Sequence, residues 1–389
     1  MACVLFAAIC AFITSPGDAA ERGELTVCET AGIRRFVYPV AAEISLDGID
    51  ENTKFRLLHD GKPTPAQFRK TDDGVSLDFD ASFLPMESRV YTIEYGVDAT
   101  PEPEPPPGMS VEEHDDHYIV RHTKYLEWKI RKDLRGFLES VKTPELEFMR
   151  PESAGFFVAP YDHEPIFIGA DNSAARVASS RVAKNGPVQC ALEFDVHIKR
   201  NDETLPSKIR LSFPRSKSWV EVDWSFDERM ADLVEFGIDL NLDVTVAPTL
   251  VDFGAGSLVY APLSPGQSAL MLALPENGEQ NWKVMRGPAD QPEPYVVQSE
   301  AFPFPAEGWA HVMDQKRCTA ISFADFGKGG DLIQVDADGR TLVGRSPFVD
   351  EAKLKSLKVW YHFVTMPMHV GAATSPQSML YPLETDWKP

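Results

Sequence analysis

Apolar and polar residues alternate with a period of two along most of the chain, the mark of strands with one face in a core and the other in water. Near the start, Phe55-Arg56-Leu57, Val75-Ser76-Leu77-Asp78-Phe79 and Val90-Tyr91-Thr92-Ile93-Glu94-Tyr95 read this way. Asp60-Gly61-Lys62-Pro63 and Asp72-Asp73-Gly74 supply the turns between them. Further on, Leu126, Trp128 and Ile130 oppose Glu127, Lys129 and Arg131. The same pattern returns at Phe194, Val196 and Ile198, at Ile209, Leu211 and Phe213, and at Val220, Val222, Trp224 and Phe226. Ala269 to Leu274 and Val359 to Val364 are unbroken apolar runs, as expected of strands covered on both faces. Helical periodicity is nearly absent; Asp227 to Glu235 has room for a turn or two. Many short strands between Gly, Pro and Asp turns predict a small N-terminal barrel or sandwich and a large two-sheet sandwich.

Length supports two units, since 389 residues are long for one compact domain. The boundary is Ala99-Thr100-Pro101-Glu102-Pro103-Glu104-Pro105-Pro106-Pro107-Gly108, an extended Pro/Glu spacer with no core of its own. It divides a small domain, 21–98, from a large one, 110–389, with the linker at 99–109. Ahead of both, Val4 to Ile13 is an apolar run of signal-peptide length (roughly 7–15 residues), short of the ~20 needed to span a bilayer. Gly17-Asp18-Ala19-Ala20 offers small residues for cleavage, so residues 1–20 read as a leader and the mature chain as secreted or periplasmic, with no membrane insertion.

A formal charge of −21 excludes nucleic acid, which needs a concentrated basic face. A local pocket of a few arginines can still take an anionic polysaccharide. Cys28, Cys190 and Cys318 remain after the leader, enough for at most one bridge and without metal-site spacing. His114-Asp115-Asp116-His117, with His122 nearby, is the densest group of metal-ligand types, but no partner cluster accompanies it, so it reads as a solvated loop; no metal or cofactor is expected.

Tyr161-Asp162-His163-Glu164 falls in a loop between apolar stretches. A tyrosine and a histidine are what β-elimination on a uronate needs, one taking the proton α to the carboxylate and one protonating the leaving oxygen. Arg286 is the candidate for neutralising that carboxylate. Trp282 and Trp309 sit beside Gly, Pro and polar residues, and are expected to be exposed and to stack on sugar faces. His311, two residues after Trp309, shares its face in a strand. His362, in Trp360-Tyr361-His362-Phe363, reads as a satisfied core histidine. Nucleophile elbows, phosphate loops and zinc-protease motifs are missing. Among 59 acidic residues no glycosidase pair can be chosen, because its defining separation is spatial.

Residues 25–97 resemble the small barrel that precedes the sandwich of exo-acting rhamnogalacturonan lyases. The carriers are Leu25-Thr26-Val27, Phe55-Arg56-Leu57 with Gly61-Lys62-Pro63-Thr64-Pro65, Asp73-Gly74-Val75-Ser76-Leu77 and Leu84-Pro85-Met86-Glu87-Ser88. Tyr125-Leu126-Glu127-Trp128-Lys129-Ile130, Gly136-Phe137-Leu138, Trp219-Val220-Glu221-Val222-Asp223 and Gly308-Trp309-Ala310 resemble the galactose-mutarotase-like super-sandwich of those lyases and of family-38 α-mannosidases. The resemblance implies an all-β fold, a small N-terminal β-barrel followed by a large antiparallel β super-sandwich, and a carbohydrate partner. The helical toroid on which the lyases' catalysis depends is missing from this sequence, so no family catalytic residue carries over. Two readings follow: a secreted glycan-recognising protein, the one favoured, working beside a separate catalytic subunit; or a polysaccharide lyase using Tyr161, His163 and Arg286, with glycoside hydrolase as the next enzyme class.

Overall fold

The computed structural model describes residues 20–389 except 102–104, 123–124, 162–163, 172, 201, 228–232, 256–257, 277–278, 298–303, 347–355 and 368–374. The fold is all-β, as the alternation predicted. The leader lies outside the described residues but for Ala20.

The small domain is a five-stranded and a three-stranded sheet around one core, in which Leu25, Leu57, Val75, Leu77, Phe79 and Ile93 are fully buried. No ladder among the described residues closes the two sheets into a single barrel. Its outermost strand was not foreseen. Glu384–Lys388 pairs antiparallel with Glu21–Cys28, so the end of the chain returns to the small domain and leaves the large one short of residue 389. Trp387 fixes this return by donating its Nε1 hydrogen to the carbonyl of Ser45 at 3.2 Å.

The large domain stacks an eight-stranded sheet on a nine-stranded one, with a four-stranded sheet built from residues 109–142 closing one end of the same core. Trp128 and Trp224, which alternation put on apolar faces, are fully buried there. The two apolar runs fall in interior strands, Gln267–Glu276 and Ser356–Thr365. The second run is covered on both faces, whereas Leu274 at the end of the first is exposed. Leu233–Asn241 is a strand, so no helix reaches Glu235. A short helix, Ser375–Leu380, lies instead near the C-terminus.

The linker is not a free spacer. Ala99 is buried, and Gly108 packs so tightly on Arg215 that a Cβ there would fall 2.1 Å from its Cδ. The two domains meet over a broad polar and aromatic interface. Lys184 pairs with Asp78, Arg215 with Asp80, and Gln67 accepts hydrogen bonds from the backbone N–H groups of Val188 and Gln189. A third core gathers Tyr38 of the small domain, Trp219, Ala320 and Trp360 of the nine-stranded sheet, and Met379 of the short helix. Arg35 and Tyr38 both donate to the carbonyl of Ser378, tying that helix to the small domain.

The three cysteines are free thiols; burial pushes that of Cys190 up to about 11.

Candidate functional site

The outer face of the nine-stranded sheet carries the side chains that the fold brings together. Register places Trp219 beside His362, His362 beside Ala320, Ala320 beside His311 and His311 beside Asp252, one row across five neighbouring strands. Trp219 and Ala320, 101 positions apart in sequence, become second neighbours through this pairing.

At the Trp219 end of the row the sheet meets the small domain and the linker, and a cleft of ≈ 1040 Å³ opens between them. Tyr125 stands at it, 62% exposed, with its ring 4.9 Å from that of His122. His122 is in turn fixed by the carbonyl of Arg215, 2.5 Å from Nε2. Arg215 reaches the same oxygen of Asp80 with Nε and Nη2, at 2.9 and 2.7 Å. Lys217 donates to the carbonyl of Phe36 at 2.8 Å and lies 5.9 Å from the Trp219 ring. Burial pushes its ammonium down to about 8, against the pull of Asp80 and helped by the nearby Arg35. His362 borders the same cleft and is buried, as a core histidine should be; burial first, then Lys217 and His311, pushes its imidazole down to about 3. The cleft thus offers an exposed aromatic face, a histidine held by the backbone, and one ammonium that is partly neutral just above neutral pH.

The residues singled out from sequence do not meet. Tyr161 is exposed, directly after the strand Gly155–Pro160. His163 lies outside the described residues. Arg286 is in Glu279–Pro288, five strands away in the same eight-stranded sheet, roughly 24 Å at ~4.8 Å per strand. Following the ladder from Arg286 through Ala269, Val335 and Thr341 to Leu240 brings it level with the start of Gly155–Pro160, whereas Tyr161 follows its end. A shared proton-transfer site requires contact distances, so Tyr161 and Arg286 cannot act on one sugar. Arg286 instead reaches Gln267 at 3.4 Å and Tyr295, whose ring centre is 5.8 Å away.

The two tryptophans expected at the surface are buried. Trp282 is 1% exposed and donates to the carbonyl of Phe304 at 2.8 Å. Trp309 is 6% exposed, donates to Glu307 at 2.7 Å, and lies so close over Gly254 that a Cβ there would sit 2.0 Å from its Nε1. Neighbouring Gly and Pro signalled close packing rather than exposure. His311 does share Trp309's face, their rings 5.2 Å apart, and is buried with Nδ1 2.9 Å from Asp252.

The His114 and His117 rings stack at 4.5 Å, and His117 Nδ1 is 2.7 Å from Asp116. Among the described residues no three His, Cys, Asp or Glu side chains are grouped closely enough to hold a metal ion. Tyr125, Arg215 and Lys217 were missed as site residues. Their one signal was the short basic stretch from Arg210 to Lys217, too interrupted to suggest a surface of its own.

No family model matches the chain, and no curated protein matches it. Solved structures do. An α-mannosidase from Enterococcus faecalis V583 overlays with a TM-score of 0.61 at 10% identity, over 95% of this chain and 46% of that one. A protein in the Glycosyl Hydrolase Family 38, also from Enterococcus faecalis, gives 0.59 at 10% identity, over 95% and 47%. The chain therefore spans about half the length of these proteins. At such identity the likeness is one of fold alone, an all-β sandwich architecture shared with part of those chains.

Proposed function

We propose that the protein recognises carbohydrate in the cleft between its small domain and the nine-stranded sheet, and holds its ligand without cutting it. The observation that carries this reading is the exposed Tyr125 ring standing over a ≈ 1040 Å³ cleft at a domain junction. An aromatic face takes the C–H surface of a sugar ring while the surrounding polar groups fix its hydroxyls. The fold shared with an α-mannosidase from Enterococcus faecalis V583 supports the choice of ligand class. Export through the leader read in residues 1–20, and a separate catalytic partner, belong to the same proposal.

A lyase remains the second reading, on one observation. Tyr125 and His122 are in ring contact, with the Lys217 ammonium lining the same cleft, so an acid, a base and a carboxylate neutraliser do share one space here.

Both are tested by titrating the mature chain with neutral and acidic polysaccharides while following the ultraviolet absorbance of an unsaturated uronate. Binding without new absorbance, weakened about tenfold in Tyr125→Ala at unchanged melting temperature, is the expected result. Absorbance that grows, and is lost in Tyr125→Phe, makes the protein a lyase. Neither binding nor absorbance with any glycan ends the carbohydrate reading.

A further inference from the structure

A second open groove, ≈ 800 Å³, lies across the short helix from the cleft. Ser378 of that helix faces the cleft, whereas Gln377, Leu380 and the following Tyr381 face the groove. Phe304-Pro305 with Glu307, and Thr30 of the small domain, line it as well. Phe304 and Tyr381 are both about half exposed, at 53% and 48%, although their backbone carbonyls are tied down by Trp282 and Arg35 respectively. Two aromatic rings are thus held in place by backbone contacts while their faces stay in water.

The polar groups that line the groove are also set in position. Glu307 Oε2 accepts from Trp309 Nε1 at 2.7 Å and from Gln377 Nε2 at 3.4 Å. Glu384 Oε1 accepts from Thr30 Oγ1 at 2.9 Å. No Lys, Arg or His is among the described lining residues, so a polyanion meets only carboxylates here. Thr30 Oγ1 gives its one hydrogen to Glu384 and one Gln377 N–H goes to Glu307, which leaves the second Gln377 N–H as a donor beside the carboxylate acceptors. A sugar hydroxyl both donates and accepts, so it meets the remaining Gln377 N–H as well as the carboxylates, whereas an ammonium meets the carboxylates alone.

We infer that this groove is a second carbohydrate site, selective for a neutral sugar ring stacked on Phe304 and Tyr381 with its hydroxyls on Glu307, Gln377 and Glu384. The choice of ligand class rests on the carbohydrate reading above; the residues do not overlap those of the cleft. Ligands that reach both sides of the helix gain by effective concentration, so a polysaccharide binds more tightly than either monosaccharide alone.

Saturation-transfer NMR of the mature chain with methyl galactoside, galacturonate and tetramethylammonium tests this, using wild type, Tyr125→Ala and the double variant Phe304→Ser/Tyr381→Ser. Both double-variant sites are exposed, and their backbone hydrogen bonds survive truncation, so an unchanged melting temperature is the control. The expected result is methyl galactoside binding that persists in Tyr125→Ala and falls at least about tenfold in the double variant, with galacturonate excluded from the groove. Methyl galactoside signals untouched by the double variant overturn the second site, even if the cleft binds polysaccharide. Tetramethylammonium signals lost in the double variant, with no methyl galactoside binding, make the groove a cation pocket and overturn the inference. Polysaccharide binding insensitive to Tyr125→Ala but lost in the double variant removes the cleft and leaves the groove standing.

Discussion

Lys184 Nζ lies 2.7 Å from Asp78 Oδ2 and 3.0 Å from Oδ1, with both side chains buried between the two domains. Gln189 Oε1 accepts a further bond from the ammonium at 3.1 Å. Removing one member of such a pair strands the other charge away from water, at a cost of about 3–5 kcal/mol. Lys184→Met is therefore expected to lower the chemical-denaturation stability by that order, and Lys184→Met/Asp78→Leu to regain most of it. A single variant as stable as wild type shows that the domains do not depend on the pair.

The pairing that makes this contact was legible only in part. Alternation at Val75-Ser76-Leu77-Asp78-Phe79 placed Asp78 opposite the small domain's core, which is correct for that sheet. It could not show that the sheet's other face is also covered, because the covering strand, Ala175–Asn185, lies about a hundred residues on and belongs to the other domain. The same limit explains the site. Strand positions and faces follow from a local period of two, but Trp219, His362 and His311 become neighbours through register, which no local pattern encodes. Trp309 shows the opposite error: Gly308 beside it suggested a loop, whereas Gly254 across the ladder provides the space that buries it.

Trp309→Ala and Trp282→Ala distinguish packing from sugar stacking. Emptying a buried tryptophan site costs about 3–5 kcal/mol. Both variants are expected to lose stability on that scale, while glycan affinity measured on the folded fraction stays within about twofold of wild type. Affinity lost at unchanged stability is the outcome that would return either tryptophan to the ligand.

His362 gives the chain an acid sensitivity. Its imidazole, at about 3 in the folded protein because of burial and of the facing Lys217 and His311, has an ordinary value of 6.5. Between those two values the unfolded chain binds a proton that the folded chain does not, so stability falls as pH falls from 6.5 toward 3. The slope from this one group is about 1.4 kcal/mol per pH unit. Above pH 6.5 the contribution is complete and flat. Buried carboxylates such as Asp331, pushed up by burial, act in the opposite sense, so the test is a difference. His362→Gln should show a shallower loss of stability between pH 6 and pH 4 than wild type, by about that slope. Identical pH profiles mean that His362 is already protonated in the fold.

Lys217 offers a handle of the opposite kind on the cleft. Its ammonium loses its proton near pH 8 because burial disfavours the charge. A group depressed in this way is charged below that pH and neutral above it, so any anionic sugar held by Lys217 binds more tightly at pH 7 than at pH 9. The expected pattern is a fall in affinity for an acidic polysaccharide across that interval, against a flat profile for a neutral one. Lys217→Met should flatten the first profile and leave the second unchanged, since methionine keeps an apolar stem of similar length and removes only the charge. Titration calorimetry at the two pH values separates the outcomes. An acidic ligand whose pH profile survives Lys217→Met is held elsewhere, and the cleft then recognises sugar through Tyr125 and its hydrogen-bonding neighbours alone.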